Sequence, residues 1–312
     1  MDRRDIFGAI VALWAAGFPL AVPGQPRKAA KVFRIGIATD FDSPEMRRRF
    51  YGSPAEEVAR KVLALAPDVV VVATTGYTIA LHRLTKTIPI VMWASGYPVE
   101  AGVAVSLARP GKNVTGNSLY AGTRVWGKLV ELLREASPGA KQVGVLWGYV
   151  APFHPAEEVE PCYREIREAG RALRLEIDIA EIARTEQVQP ALAAFEAKKV
   201  DALLMTSGPA LWFTRQAILK YASGRRMPTI ADFAQPPDSV AERPLLSYAP
   251  SWDDLLRQTA SYVDRILRGA KPGDLPIQQP ARFELEVNLR TAKVLGLKIP
   301  LSILLRASRV NE

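Results

Sequence analysis

Apolar and polar positions follow two rhythms along this chain, and each change of rhythm marks an element. Short unbroken apolar runs recur at Asp68–Ala73 (D-V-V-V-V-A), Ile88–Trp93 and Gln142–Trp147 (Q-V-G-V-L-W). A run with no polar side reads as a strand buried on both faces. Lys31–Ala38, Val114–Leu119, Leu175–Ile179, Ala202–Met205, Met227–Ile230 and Leu245–Tyr248 read as further strands. Between them, three- and four-residue spacing predicts helices at Ala55–Leu65, Tyr77–Leu84, Val99–Leu107, Val125–Glu135, Ala156–Leu173, Val188–Ala197 and Leu211–Gly224. Strands alternating with helices predict parallel sheets covered on both faces. The series over residues 33–118 and 120–245 predict an α/β protein with two doubly wound, Rossmann-like lobes.

The closing segment has its own pattern. Ser251 is a candidate N-cap, followed by Asp253 and Asp254 at the positive end of a helix dipole. Leu255, Leu256, Thr259, Tyr262, Val263, Ile266 and Leu267 form one apolar face, and Gly269 suits a left-handed stop. Pro272, Pro276 and Pro280 predict an extended path. Phe283, Leu285 and Val287 alternate with charged residues, which predicts a half-exposed strand. Asn288 then caps a short helix that ends at Gly296.

Composition adds compartment and partner. The 312 residues are 48% hydrophobic and 23% charged, as in a folded globular protein, with a net charge of +9. The basic residues are scattered and paired with acids on helices, so they read as solvated surface rather than a nucleic-acid site. Cys162 is the only cysteine, which excludes an intrachain disulfide and a thiolate metal cluster. Arg3 and Arg4 precede an apolar run from Ile6 to Val22. That order predicts a secretory signal over residues 1–25 and a mature protein that is soluble outside the cytoplasm; the periplasm is the expected location and a monomer the expected state.

Catalytic motifs do not stand out. His82 and His154 have no second histidine at helical spacing, and no G-x-S-x-G elbow or nucleotide loop follows a strand. Gly111–Gly116 (G-K-N-V-T-G) precedes a strand rather than a helix, and reads as a turn. The expectation is a binding protein with no cofactor, no metal and no enzymatic activity. Ligands of doubly wound sheets bind beyond the carboxyl ends of the strands. Those positions hold Asp40; Thr75, Gly76 and Tyr77; Ser95, Gly96 and Tyr97; Trp147 and Tyr149; Ser207; and Asp232 and Phe233. Hydroxyls and backbone amides there could orient a polar head while aromatic rings cover an apolar body.

Several segments carry a resemblance. They are Thr87–Ser118, with the run L-A-R-P-G-K-N-V-T-G; Lys128–Trp147; and Leu246–Ser251 continuing through A-K-P-G-D-L-P-I-Q-Q-P and F-E-L-E-V-N-L-R-T-A-K-V-L-G-L. Together they resemble the ABC transporter substrate-binding proteins of the tryptophan/tyrosine-binding-like family, which have a type I periplasmic-binding fold. The resemblance implies an extracytoplasmic protein that closes on a small organic, aromatic or amino-acid-like ligand and delivers it to an ABC permease. A ligand sensor for a receptor kinase, an α/β enzyme and a sugar-type repressor are the alternatives. It also implies lobes of residues 31–118 plus about 249–280 and 120–246 plus about 284–312. The hinge strands would lie near Asn117–Tyr120, Leu246–Ala249 and Ala281–Leu285. Two departures accompany it. Tyr97 stands where relatives carry Asp, so it would stack on or hydrogen-bond to the ligand in place of a carboxylate. Pro44–Tyr51 replaces a longer stretch, so the first lobe is expected to be shortened.

Overall fold

The computed structural model describes residues 33–38, 55–149, 156–233 and 242–312. The apolar leader over residues 1–25, Asp40, the Pro44–Tyr51 segment and His154 lie outside the described residues.

Two sheets organise the chain. The first holds β1 (Ile35–Ala38), β2 (Val69–Val72), β3 (Ile90–Ser95) and β4 (Val114–Ser118), all parallel and in chain order. The tetrad Val69–Val72 shows why β2 has no polar side. Val70 and Val72 pack under α1 (Ala55–Ala64) and α2 (Thr75–Leu84), with Leu81, Ile90, Met92 and Val114. Val69 and Val91 face the other way, onto Tyr262 and Ile266. Those two residues belong to α7 (Trp252–Leu267), so the helix of the closing segment covers the back of the first sheet.

The second sheet runs β11-β10-β9-β8-β7-β5-β6. Its members are β5 (Gln142–Trp147), β6 (Glu176–Glu181), β7 (Ala202–Met205), β8 (Thr229–Ala231), β9 (Leu246–Pro250), β10 (Phe283–Asn288) and β11 (Arg309–Asn311). All neighbours are parallel except β9 and β10. One face packs on α3 (Arg124–Ala136) and α4 (Ala156–Ala172), with α8 (Leu289–Leu295) and α9 (Leu301–Arg306) beside them. The other packs on α5 (Val188–Ala197) and α6 (Pro209–Gly224). Leu129 and Leu133 of α3 are fully buried, so truncating either to Ala would cost about 2–5 kcal/mol.

The chain passes between the sheets after β4, after β9 and before β10. The crossings run side by side: Gln278 N donates to Gly116 O at 2.9 Å and Ser118 N to Gln278 O at 2.8 Å. Phe283 pairs with Pro250 across β9 and β10.

Three expectations need correction. Val99–Leu107 is a set of turns, not a helix. The Pro98 carbonyl accepts from both Val103 N and Ala104 N, and Gly102 adopts φ +70°. The strand at Phe283–Asn288 is not half-exposed, because β11 pairs on its outer side and leaves Glu286 only 5% exposed. Pro272 opens a 3₁₀ turn over Pro272–Asp274 rather than an extended run.

Candidate functional site

The residues at the strand ends gather into two polar groups and one aromatic link. In the first group, α2 begins directly after β2, and Thr75, Gly76 and Tyr77 form its first turn. Thr74 is the N-cap and accepts from Tyr77 N at 3.5 Å. Thr75 Oγ1 accepts from Gly96 N at 3.0 Å, and Ser95 Oγ shares a 2.8 Å hydrogen bond with Thr78 Oγ1. Thr75, Thr78 and Ser95 are all buried. This end of α2 thus offers hydroxyls, first-turn amides and a positive dipole end, which together suit an anionic group.

The second group centres on an acid. Asp232, at the end of β8, is 4% exposed. Its Oδ2 accepts from the Tyr120 phenol at 2.8 Å and from the Tyr149 phenol at 2.9 Å. The two phenol oxygens lie 2.5 Å apart, and Ser207 Oγ hydrogen-bonds to Tyr149 as well. Asp232 Oδ1 is buried with no hydrogen-bond partner. Burial pushes the acid up to about 6, against the opposing pull of the Tyr120 and Tyr149 hydrogen bonds and of the neighbouring Ser207. Burial, with the neighbouring carboxylate, also holds both phenols well above their ordinary value, so they stay protonated donors.

Backbone contact sets the spacing of this group. A Cβ built on Gly148 would lie 2.7 Å from Gly208 Cα, and Gly148 N donates to Thr206 Oγ1 at 2.8 Å. The loops after β5 and β7 therefore touch main chain to main chain, which brings Tyr149 beside Ser207.

Tyr97 links the groups. It follows Gly96, stacks on Tyr120 with ring centroids 5.5 Å apart, and its phenol accepts from Trp126 Nε1 at 3.2 Å. Its hydroxyl also lies 3.4 Å from Cys162 Sγ.

The structure thus brings together Thr75, Ser95, Gly96 and Tyr97, and separately Tyr149, Ser207 and Asp232. Two rings sit elsewhere. Trp147 is 1% exposed among Trp126, Tyr149 and Tyr163, with Nε1 donating to Tyr149 O at 2.7 Å. Phe233 packs edge-on to Trp212 in the core under α6. Tyr120 and Trp126 were not among the expected site residues, although Tyr120 also follows a strand end. Among the described residues, no group of three or more His, Cys, Asp or Glu could hold a metal ion.

Family comparison accounts for this architecture. The profile of the ABC transporter substrate binding protein family matches residues 52–311. The chain belongs to that family. A tyrosine-binding protein from Clostridioides difficile is 25% identical over 243 residues, 78% of this chain and 67% of its own length. A conserved domain protein from Vibrio cholerae superposes with a TM-score of 0.72 at 28% identity, over 83% of this chain and 84% of that one. A domain from Streptococcus pneumonia, solved in complex with L-Trp, has a TM-score of 0.70 at 23% identity, over 82% and 83% of the two chains. The fold of this family member is type I periplasmic-binding: two α/β lobes joined by crossing strands. Among the described residues, no helix is long and apolar enough to cross a membrane.

Proposed function

We propose that this protein is the extracytoplasmic solute-binding component of an ABC importer, and that its ligand is a free amino acid held between the lobes. The observation that carries this reading is the buried Asp232 carboxylate with its unpartnered Oδ1. A buried acid gains most from a ligand that brings both a positive charge and donors, as an α-ammonium does. The first turn of α2, with Thr75 and Gly96, is the complementary end for the α-carboxylate. Tyr97 and Tyr120 connect the two ends through one stacked pair. The lobes are residues 31–118 plus about 249–280 and residues 120–246 plus about 284–312. Closure of one on the other would present the loaded form to a membrane permease. The family match and the amino-acid ligands of similar proteins support the same reading.

Calorimetry with the twenty amino acids and their decarboxylated and deaminated analogues tests it. Binding that requires both ammonium and carboxylate, and that disappears in Asp232→Asn, is the expected result. Failure of every amino acid to bind or to raise the melting temperature would sink the proposal.

A further inference from the structure

The backbone of Tyr97 adopts φ +32°, a left-handed conformation that aromatic residues rarely adopt. The turn is held there because Tyr97 O accepts from Ala101 N at 3.0 Å. From this position the side chain leaves the β3 loop and enters a well lined by the other half of the molecule. Tyr120 forms one wall, stacked at 27° between ring planes. Trp126, on the first turn of α3, donates its indole N–H to the Tyr97 phenol. Cys162, on α4, lies against the same hydroxyl. Trp126 and Cys162 are 0% exposed and Tyr120 is 2% exposed, so the lining of the well is buried. A half-buried ring that is stacked and hydrogen-bonded on a strained backbone marks a conformation fixed by its surroundings.

The well adjoins the acid. The same Tyr120 that stacks on Tyr97 donates to Asp232 at 2.8 Å. We propose that Tyr97 determines specificity: its own ring fills the aromatic well beside Asp232, so the ligand is an amino acid with a short, non-aromatic side chain. This rests on the reading that the ligand's ammonium pairs with Asp232. An aromatic side chain would have to displace Tyr97 and leave the Trp126 indole N–H without its acceptor. Pockets of this kind discriminate by at least about tenfold when a ligand adds volume they lack. An emptied apolar well, in contrast, takes up a small aromatic molecule.

The test uses the wild-type protein, Tyr97→Ala and Tyr97→Leu, with L-alanine, L-serine, L-valine, L-tyrosine and p-cresol, read by calorimetry and melting temperature. Wild type should prefer the short amino acids over L-tyrosine by about tenfold or more. Tyr97→Ala should reverse that order and be stabilised by p-cresol, which leaves wild type unchanged. Tyr97→Leu should fall between them, and serves if the alanine variant does not fold. Equal or tighter binding of L-tyrosine by wild type overturns the proposal. If no amino acid binds any of the three proteins, the ligand class is wrong. The p-cresol arm then separates that failure from an error about the well, since a folded Tyr97→Ala that ignores p-cresol means Tyr97 filled nothing.

Discussion

Gly148 and Gly208 meet backbone to backbone: a Cβ on Gly208 would lie 2.4 Å from the main chain of Gly148. The atoms it would strike are main chain and cannot swing aside. Gly208→Ala must therefore push the β5 and β7 loops apart, and Tyr149 and Ser207 ride on those loops. Overpacking of this kind costs about 1–3 kcal/mol or more. The variant should lose that much stability in urea unfolding, and its amino-acid affinity should fall further than its stability loss explains. A variant with wild-type affinity would show that the glycine contact does not set the spacing of the polar group.

Thr75 accepts the Gly96 N–H in a buried setting. Thr75→Val keeps the shape but strands that donor, at a cost of about 1–3 kcal/mol. Thr75→Ser retains the hydroxyl and should recover most of the loss. The readout is amino-acid affinity by calorimetry beside the urea midpoint. Equal behaviour of the Val and Ser variants would mean the hydroxyl is not used.

Much of the fold was legible because parallel strands are buried on both faces, which leaves unbroken apolar runs such as Asp68–Ala73. The Val188–Ala197 helix and the Asn288 cap, which accepts from Thr291 N at 3.1 Å, lie where local chemistry puts them. Val99–Leu107 misled because its apolar content looks helical, while its shape is set by the Pro98 carbonyl and a glycine of positive φ. The burial of Glu286 depends on β11, a three-residue strand at the end of the chain too short to carry a period. The site divides in the same way. Tyr149, Ser207 and Asp232 were expected together from their positions at strand ends, and they meet in one hydrogen-bonded group because parallel strands end together. Trp126 was not singled out because its partner Tyr97 reaches it from the loop after β3, and no local spacing encodes that contact.

Asn117 anchors the first crossing to α7. Its Nδ2 donates to Leu255 O and to Thr259 Oγ1, each at 3.0 Å, and the residue is fully buried. Asn117→Leu leaves the Thr259 hydroxyl with its own bond to Leu255 O, but removes the tie between β4 and the helix behind it. A loss of about 1–3 kcal/mol in urea unfolding is expected. Amide exchange should rise in α7 before it rises in α3, which packs on the second sheet. Uniform exchange across both helices would mean that the crossing is not held by this side chain.

Asp232 should make binding and stability respond to pH in opposite senses. Its pKa is raised from 3.8 to about 6 in the folded protein, chiefly by burial. Between those values the folded chain holds a proton that the unfolded chain has lost. Its contribution to stability is therefore greatest below about pH 4, declines as pH rises towards 6, and levels off above. The full difference is roughly 3 kcal/mol. An ammonium ligand prefers the charged acid, so affinity should be constant above about pH 6.5 and weaken about tenfold for each pH unit below 6. Asp232→Asn removes the titration and keeps an oxygen for the two phenols. The variant should match or exceed wild-type stability at pH 7.5, lack the wild-type decline between pH 4 and 6, and lose about a hundredfold or more in amino-acid affinity. Urea unfolding across pH 4–8 and calorimetry at pH 5 and 7.5 supply the comparison. The wild-type-minus-variant difference isolates Asp232 from other carboxylates such as Glu135 and Glu286, whose pKa values are also displaced. A difference that does not change with pH would mean Asp232 is already charged in the free protein, and the ammonium reading would lose its main support.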